Sequence, residues 1–251
     1  MTNYIIRTLV RALITMILVM TIVFVVIRIG PLDPAQYILG DYASAESLST
    51  LRHKLSIDKP IYAQYYEYIG HLLQGDFGKS YFNEDSVLSQ ILDVIPYTLE
   101  LVFAGVVLGL LFGLPPGIIA ALRPNSVFDH IIRLITLIGI SIPIFVSGII
   151  LISIFSLYFD LLPATGAGES DSYLSRLIHL ILPAVSCGIL MMASICRLTR
   201  ASMLDVLKKD YITTARSKGL HESVVILKHA LRNSLLPLIT YLGIHINILL
   251  G

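Results

Sequence analysis

Five stretches of this chain stay apolar for about the 20 residues that a helix needs to cross a bilayer core roughly 30 Å thick. They run from Thr8 to Ile29, Tyr97 to Leu122, Ile131 to Phe159 and His179 to Cys196, and from Ser234 on to Gly251. Hydrocarbon offers no partner for a bare backbone N–H or C=O, so runs of this length and composition are helices. The fold class is therefore all-α, a polytopic transmembrane helical bundle. Composition agrees: 14% of the residues are charged and 55% hydrophobic, whereas a soluble domain carries roughly 25% charge. The first run is an uncleaved span. It outlasts the roughly 7–15 residues of a signal core, and Arg28-Ile29-Gly30-Pro31 is a poor cleavage site. Cys187 and Cys196 fall in one apolar run, about 13 Å apart along a helix, too far for a disulfide.

Basic residues set the expected orientation. Arg7 and Arg11 lie at the N-terminal flank of the first run, and Arg123 and Arg133 flank the loop after the second. The segment 197–233 holds eight: Arg197, Arg200, Lys208, Lys209, Arg216, Lys218, Lys228 and Arg232. Segment 30–96 carries four basic residues against nine acidic ones, and the loop after the third run has only Arg176. The alternation predicts a cytoplasmic N-terminus, cytoplasmic second and fourth loops, and an external 30–96 region. The expected organisation is one transmembrane domain over 1–251: a first span within 1–29, an external region at 30–96, spans two to four over 97–196, a cytoplasmic loop at 197–233 and the start of span five at 234–251. The fifth run has no polar flank at Gly251, so this span is expected to be unfinished and the chain a fragment or a natural truncation.

The spans hold few ionisable groups. Glu100 and Arg28 lie near their external ends, and only His245 lies well inside one. Carriers driven by protons or sodium commonly keep carboxylates in mid-membrane, so the energy for any transport is expected from elsewhere. The 197–233 loop is the distinctive part. Met203, Leu207, Tyr211 and Ala215 recur every four residues beside Leu204 and Ile212, which predicts one amphipathic helix. Arg216 and Lys218 suit its C-terminal dipole, and Gly219 its left-handed cap. A second short helix, about Glu222 to Arg232, leads into span five. A helix, a glycine turn and a helix between two spans read either as a basic surface element on lipid headgroups or as a docking element for a soluble partner.

The loop sequence YITTARSKGL from Tyr211 to Leu220, then HALRNSL from His229 to Leu235 with Pro237 beyond, resembles the cytoplasmic signature of the dipeptide/oligopeptide/nickel permeases of ABC importers. That pattern is approximately T-A-R-A-K-G-L followed by H-A-L-R-N-A-L-x-P. The resemblance extends along the chain: Pro31-Leu32-Asp33-Pro34 is similar to P-G-D-P with Leu32 in place of glycine, and Asp58-Lys59-Pro60, Gly75 to Ser80, Pro96 to Leu101, Ser141-Ile142-Pro143 and Ile181 to Ala184 also match. It implies a permease subunit of six spans, five of them visible here, in a bacterial inner membrane, without catalytic residues or a cofactor of its own, and with ATP bound on partner subunits. The implied partners are a second, homologous permease or a second copy of this chain, two cytoplasmic ATP-binding subunits, an extracytoplasmic solute-binding protein and membrane lipid, with no nucleic acid. It implies that Thr213 to Leu220 form a coupling helix in a groove of the ATPase. Ala215 and Gly219 would permit close approach there, Asp210, Arg216 and Lys218 would form a polar rim, and Thr214 and Leu220 would complete the contact.

Segment 243–251 resembles the nickel-permease branch, where a histidine stands at the place of His245. That residue is either part of a substrate pathway with Ser141 and Pro143 or a packing residue bonded to a neighbouring helix. No Cys/His cluster accompanies it, so no dedicated metal centre is expected, and His245 alone could touch a metal substrate. Peptides and nickel or metal chelates are the implied cargoes. Two partial motifs carry no chemistry. Gly78-Lys79-Ser80 lacks the glycine that a phosphate-binding loop needs, with Leu73 in its place, and His221-Glu222 lacks the second histidine of H-E-x-x-H, with Val225 in its place. The rival class is an ATP-independent carrier or channel, which would transport alone.

Overall fold

A computed structural model describes residues 2–29, 34–40, 43–54, 57–80, 83–169 and 171–250. Pro31, Leu32, Asp33 and Gly251 lie outside these. The described residues fold into helices joined by turns, in two compact units, 1–93 and 94–251.

In the first unit, α1 (Thr2–Ile29) exposes apolar side chains almost throughout its length, as a lipid-facing span must. Helix α2 spans Pro34–Leu39, α3 spans Ala45–Lys54 and α4 spans Ile61–Leu73. Phe24 is buried between Tyr65, edge-on at 5.2 Å, and Tyr68, stacked at 5.4 Å. The Tyr65 hydroxyl lies 2.7 Å from Thr21 Oγ1. Tyr62 and Tyr66 point outward. The tyrosine cluster of α4 is thus divided, one pair pinning α4 to α1 and the other free.

The second unit is built around α8 (Tyr173–Leu207). Helix α5 (Val87–Leu122) starts ten residues before the Tyr97 boundary expected for span two, because a helix need not stop where its polar end leaves hydrocarbon. It tolerates Pro96, Pro115 and Pro116 internally. Gly109, Gly113 and Gly117 recur every fourth residue and let α5 approach α8 closely. A Cβ at Gly113 would lie 2.6 Å from the Met192 carbonyl, and one at Gly117 2.6 Å from that of Cys196.

The third apolar run is bent. Helix α6 (Val127–Ser141) is capped by Ser126, whose Oγ accepts from the Asp129 amide at 3.2 Å. It ends at Ile142 (φ −85°, ψ 120°), because the proline that follows disfavours helical geometry there. Helix α7 (Ile144–Leu151) starts after Pro143, continues as a π-helical segment, Ile152–Tyr158, and lies at 99° to α6. Among the described residues, four helices are long and apolar enough to cross a membrane, or five if the bent pair is one span. This is the polytopic all-α bundle that the sequence predicts. The last, Glu222–Leu250, comprises α10 (Glu222–Val224), a π-helical stretch (Val225–Leu231) and α11 (Arg232–Leu250).

Candidate functional site

The basic segment after span four folds into a self-packed hairpin. The single amphipathic helix predicted through Met203, Leu207, Tyr211 and Ala215 is broken. Helix α8 stops at Leu207, Lys209 is extended (φ −77°, ψ 145°), and a separate helix α9 runs over Asp210–Ser217. The break lets α9 fold back. Ile212 and Ala215 join Met203, Ala121, Val225 and Ala230 in one buried cluster. An unbroken helix would carry Ile212 and Ala215 away from Met203, so burial of this cluster favours the turn. Tyr211, expected on the apolar stripe, is 42% exposed, and its hydroxyl accepts from Asn233 Nδ2 at 3.1 Å.

Gly219 closes α9 as predicted. Its φ is +76°, in the left-handed region. The Gly219 amide donates to the Arg216 carbonyl at 2.9 Å and the Leu220 amide to that of Ala215 at 3.4 Å, the paired bonds of a Schellman cap. Nothing lies within 4 Å of a Cβ built on Gly219, so backbone conformation and not space selects glycine in this chain. Arg216 Nη2 and Nε donate to the two oxygens of Glu222 at 2.6 and 3.2 Å, tying the end of α9 to the start of α10. The Glu222 carboxylate holds the Arg216 guanidinium above its ordinary value. Ser202 Oγ donates to the Ser234 carbonyl at 2.9 Å, joining α8 to α11.

Asp210, Thr214, Arg216, Lys218, Gly219 and Leu220 are therefore brought together on one small, exposed element. Ala215 is placed otherwise. It is 6% exposed and lies in the hairpin's own buried cluster.

The substrate-pathway candidates do not gather at one place. Ser141 ends α6, its Oγ donating to the Leu137 carbonyl at 2.8 Å, and Pro143 opens α7, both exposed at the bend. Beside the bend lies a cavity of about 520 Å³ lined by Ile144, Gly148, Thr165, His179, Ser186 and Cys187, among others. None of Ser141, Pro143 and His245 is among its lining residues, and His245, in α11, packs on Tyr241 with ring centroids 4.0 Å apart and planes tilted by 34°. Polar ties such as Ser147 with Ser186, and Asp129 with Arg200, escape a sequence reading. Their partners are 39 and 71 residues apart, beyond any local pattern.

Two family descriptions match the chain. Binding-protein-dependent transport system inner membrane component covers residues 113–251, and the N-terminal part of such membrane components covers residues 1–102. The di/tripeptide transport system permease protein DppB of Pseudomonas aeruginosa (strain UCBPP-PA14) is 40% identical over 254 residues, spanning 91% of this chain and 74% of the relative. The glutathione transport system permease protein GsiC of Escherichia coli (strain K12) is 39% identical over 251 residues, spanning 100% of this chain and 80% of the relative.

Proposed function

This chain belongs to the binding-protein-dependent transport system inner membrane components, and we propose that it is the permease subunit through which an ABC importer moves small peptides. As a permease of the peptide family it is a multi-pass inner-membrane protein that works within a complex. The peptide cargo rests on the relatives, which are named for di/tripeptide and glutathione transport. Nickel and metal chelates, the other cargo of resembling chains, rest on His245 alone, and those relatives lend them no support.

The observation that carries the coupling role is the 197–233 hairpin. A rigid, capped helix presents Thr214, Lys218 and Leu220 outward, and its inner face is welded through Met203 to α8 and through Val225 and Ala230 to the helix leading into α11. Force applied at α9 reaches two spans directly. In this reading two permease subunits, homologous or identical, enclose the path, and two cytoplasmic ATP-binding subunits bind nucleotide and drive the hairpins. An external solute-binding protein delivers cargo, and the N-terminus faces the cytoplasm. ATP-driven movement shifts the path between inward- and outward-facing states. Ser141 and Pro143 border that path at the bend, and the chain supplies no catalytic group.

Uptake of a labelled dipeptide into proteoliposomes tests the reading. The proposal requires the ATPases, ATP and the binding protein. Uptake by this chain alone, indifferent to ATP, would establish the rival carrier. Uptake of a nickel chelate in place of the dipeptide would reassign the cargo.

A further inference from the structure

Asp129 is fully buried, although it sits in the first turn of α6. Burying a carboxylate costs several kcal/mol unless its lost water is replaced by partners. Here Oδ1 accepts from Arg200 Nε at 2.5 Å and Oδ2 from Nη2 at 2.7 Å, a two-pronged fork. Oδ2 also accepts from the Asn125 amide at 2.9 Å and lies 3.8 Å from Arg133 Nε. Arg200 stands on α8 three residues before Met203, which anchors the coupling hairpin.

Two further contacts fix the bent α6–α7 segment to α8. A Cβ on Gly139 would lie 2.9 Å from that of Ala193, and the Ser147 and Ser186 hydroxyls are 2.9 Å apart. The bent segment is thus held at three levels of α8, near Arg200, Ala193 and Ser186. Stability alone is a poor reason for the ion pair, because apolar residues of similar volume often serve as well at a buried site. What the fork adds is direction. The hydrophobic effect itself has no direction, whereas a two-pronged bond fixes the relative orientation of the two groups it joins.

We propose that Asp129 and Arg200 are a positioning pair that makes the α6–α7 bend follow the movement of the 197–233 hairpin. The inference rests on the reading of that hairpin as the ATPase-docking element. It places the pair in the transmission between nucleotide binding and the Ser141–Pro143 bend, without contact to substrate or nucleotide.

The test uses the complete importer, with its ATPases and binding protein, in lipid. The apolar double variant Asp129→Leu/Arg200→Met leaves no unpaired buried charge. It is expected to assemble and hydrolyse ATP, while dipeptide uptake per ATP falls about tenfold, the order of one link's coupling energy. The exchanged pair, Asp129→Arg/Arg200→Asp, is expected to restore only part of that loss, because the Asn125 amide and Arg133 both favour a carboxylate at position 129. Should neither fold, Arg200→Lys keeps the charge but loses the fork, and is expected to lower uptake per ATP in the same sense. Spin labels at Leu134→Cys and Lys218→Cys, with Cys187 and Cys196 replaced by alanine, read the link directly. Their separation should hold between nucleotide-free and ATP-bound states in the parent and change with nucleotide in the apolar double variant. Uptake per ATP within about twofold of the parent, with the separation still fixed, would overturn the link. If Lys218→Cys still crosslinks to the ATPase in that case, the docking reading survives and only the link fails. If that crosslink never forms, the docking reading fails and takes the link with it.

Discussion

Ser147 and Ser186 bring their hydroxyl oxygens to 2.9 Å of each other, and both oxygens stand within hydrogen-bonding distance of the Ile144 carbonyl, at 2.7 and 2.9 Å. Two hydroxyl protons serve three contacts, so the pair and the carbonyl form one shared network. It sits one turn into α7, where the chain has just turned 99° from α6. Within a membrane protein a lost interhelical hydrogen bond costs about 0.6 kcal/mol on average and up to about 1.7. Ser186→Val should lower the unfolding free energy of the detergent-solubilised protein by about that amount. Ser147→Ala in the Ser186→Val background should add less than it does alone, because the partners share one network. Simple additivity in thermal unfolding would show that the two hydroxyls act separately.

The glycine stripe of α5 makes a graded prediction. An alanine Cβ at Gly113 or Gly117 would meet α8 backbone at 2.6 Å, whereas nothing lies within 4 Å at Gly243. Gly113→Ala and Gly117→Ala should each destabilise by about 1–3 kcal/mol, the cost of forcing packed elements apart. Gly243→Ala should be neutral or slightly stabilising. Detergent-based thermal shifts on the three variants would check the order.

At Gly219 the constraint is conformational. Gly219→Ala should cost about 1 kcal/mol of local stability, and Gly219→Asn less, since asparagine tolerates the left-handed region. The signal is hydrogen exchange at the amides of Gly219 and Leu220, which donate to the carbonyls of Arg216 and Ala215. Faster exchange there in the alanine variant, with Met203 and Ala230 unaffected, is the expected pattern.

The turn before α5 should loosen in acid. Asp76 accepts from the Gly78 amide at 2.9 Å and lies 2.9 Å from His71 Nδ1. The Gly78 amide first, and His71 after it, hold its carboxyl below the ordinary 3.8. A depressed folded value means that the carboxylate's contribution is complete above 3.8 and is lost as pH falls through the lower folded value. Asp76→Asn should abolish the acid-dependent loosening of the Gly78 amide, read by exchange at stepped pH.

The sequence makes the spans legible because hydrocarbon allows one solution to long apolar runs. The loop signature and the Gly219 cap are legible because they depend on neighbours a few residues away. Other features depend on tertiary contact. The break at Lys208–Lys209 has neither glycine nor proline to announce it, and only the burial of Ile212 and Ala215 against Met203 explains it. Pro143 is visible in the sequence, but the contact of Ser147 with Ser186, which joins α7 to α8 just beyond the bend, is not. Asp129 reads as one more polar residue in a basic loop until Arg200 reaches it from α8.

The most direct measurement of the central claim is a crosslink from Lys218→Cys, with Cys187 and Cys196 replaced by alanine, in the importer assembled with its ATPases. Lys218 is exposed at the cap of α9. A crosslink to an ATPase subunit that weakens when a bulky residue replaces Gly219 is the predicted result. A crosslink to lipid alone, with dipeptide uptake indifferent to the Gly219 replacement, would contradict the account.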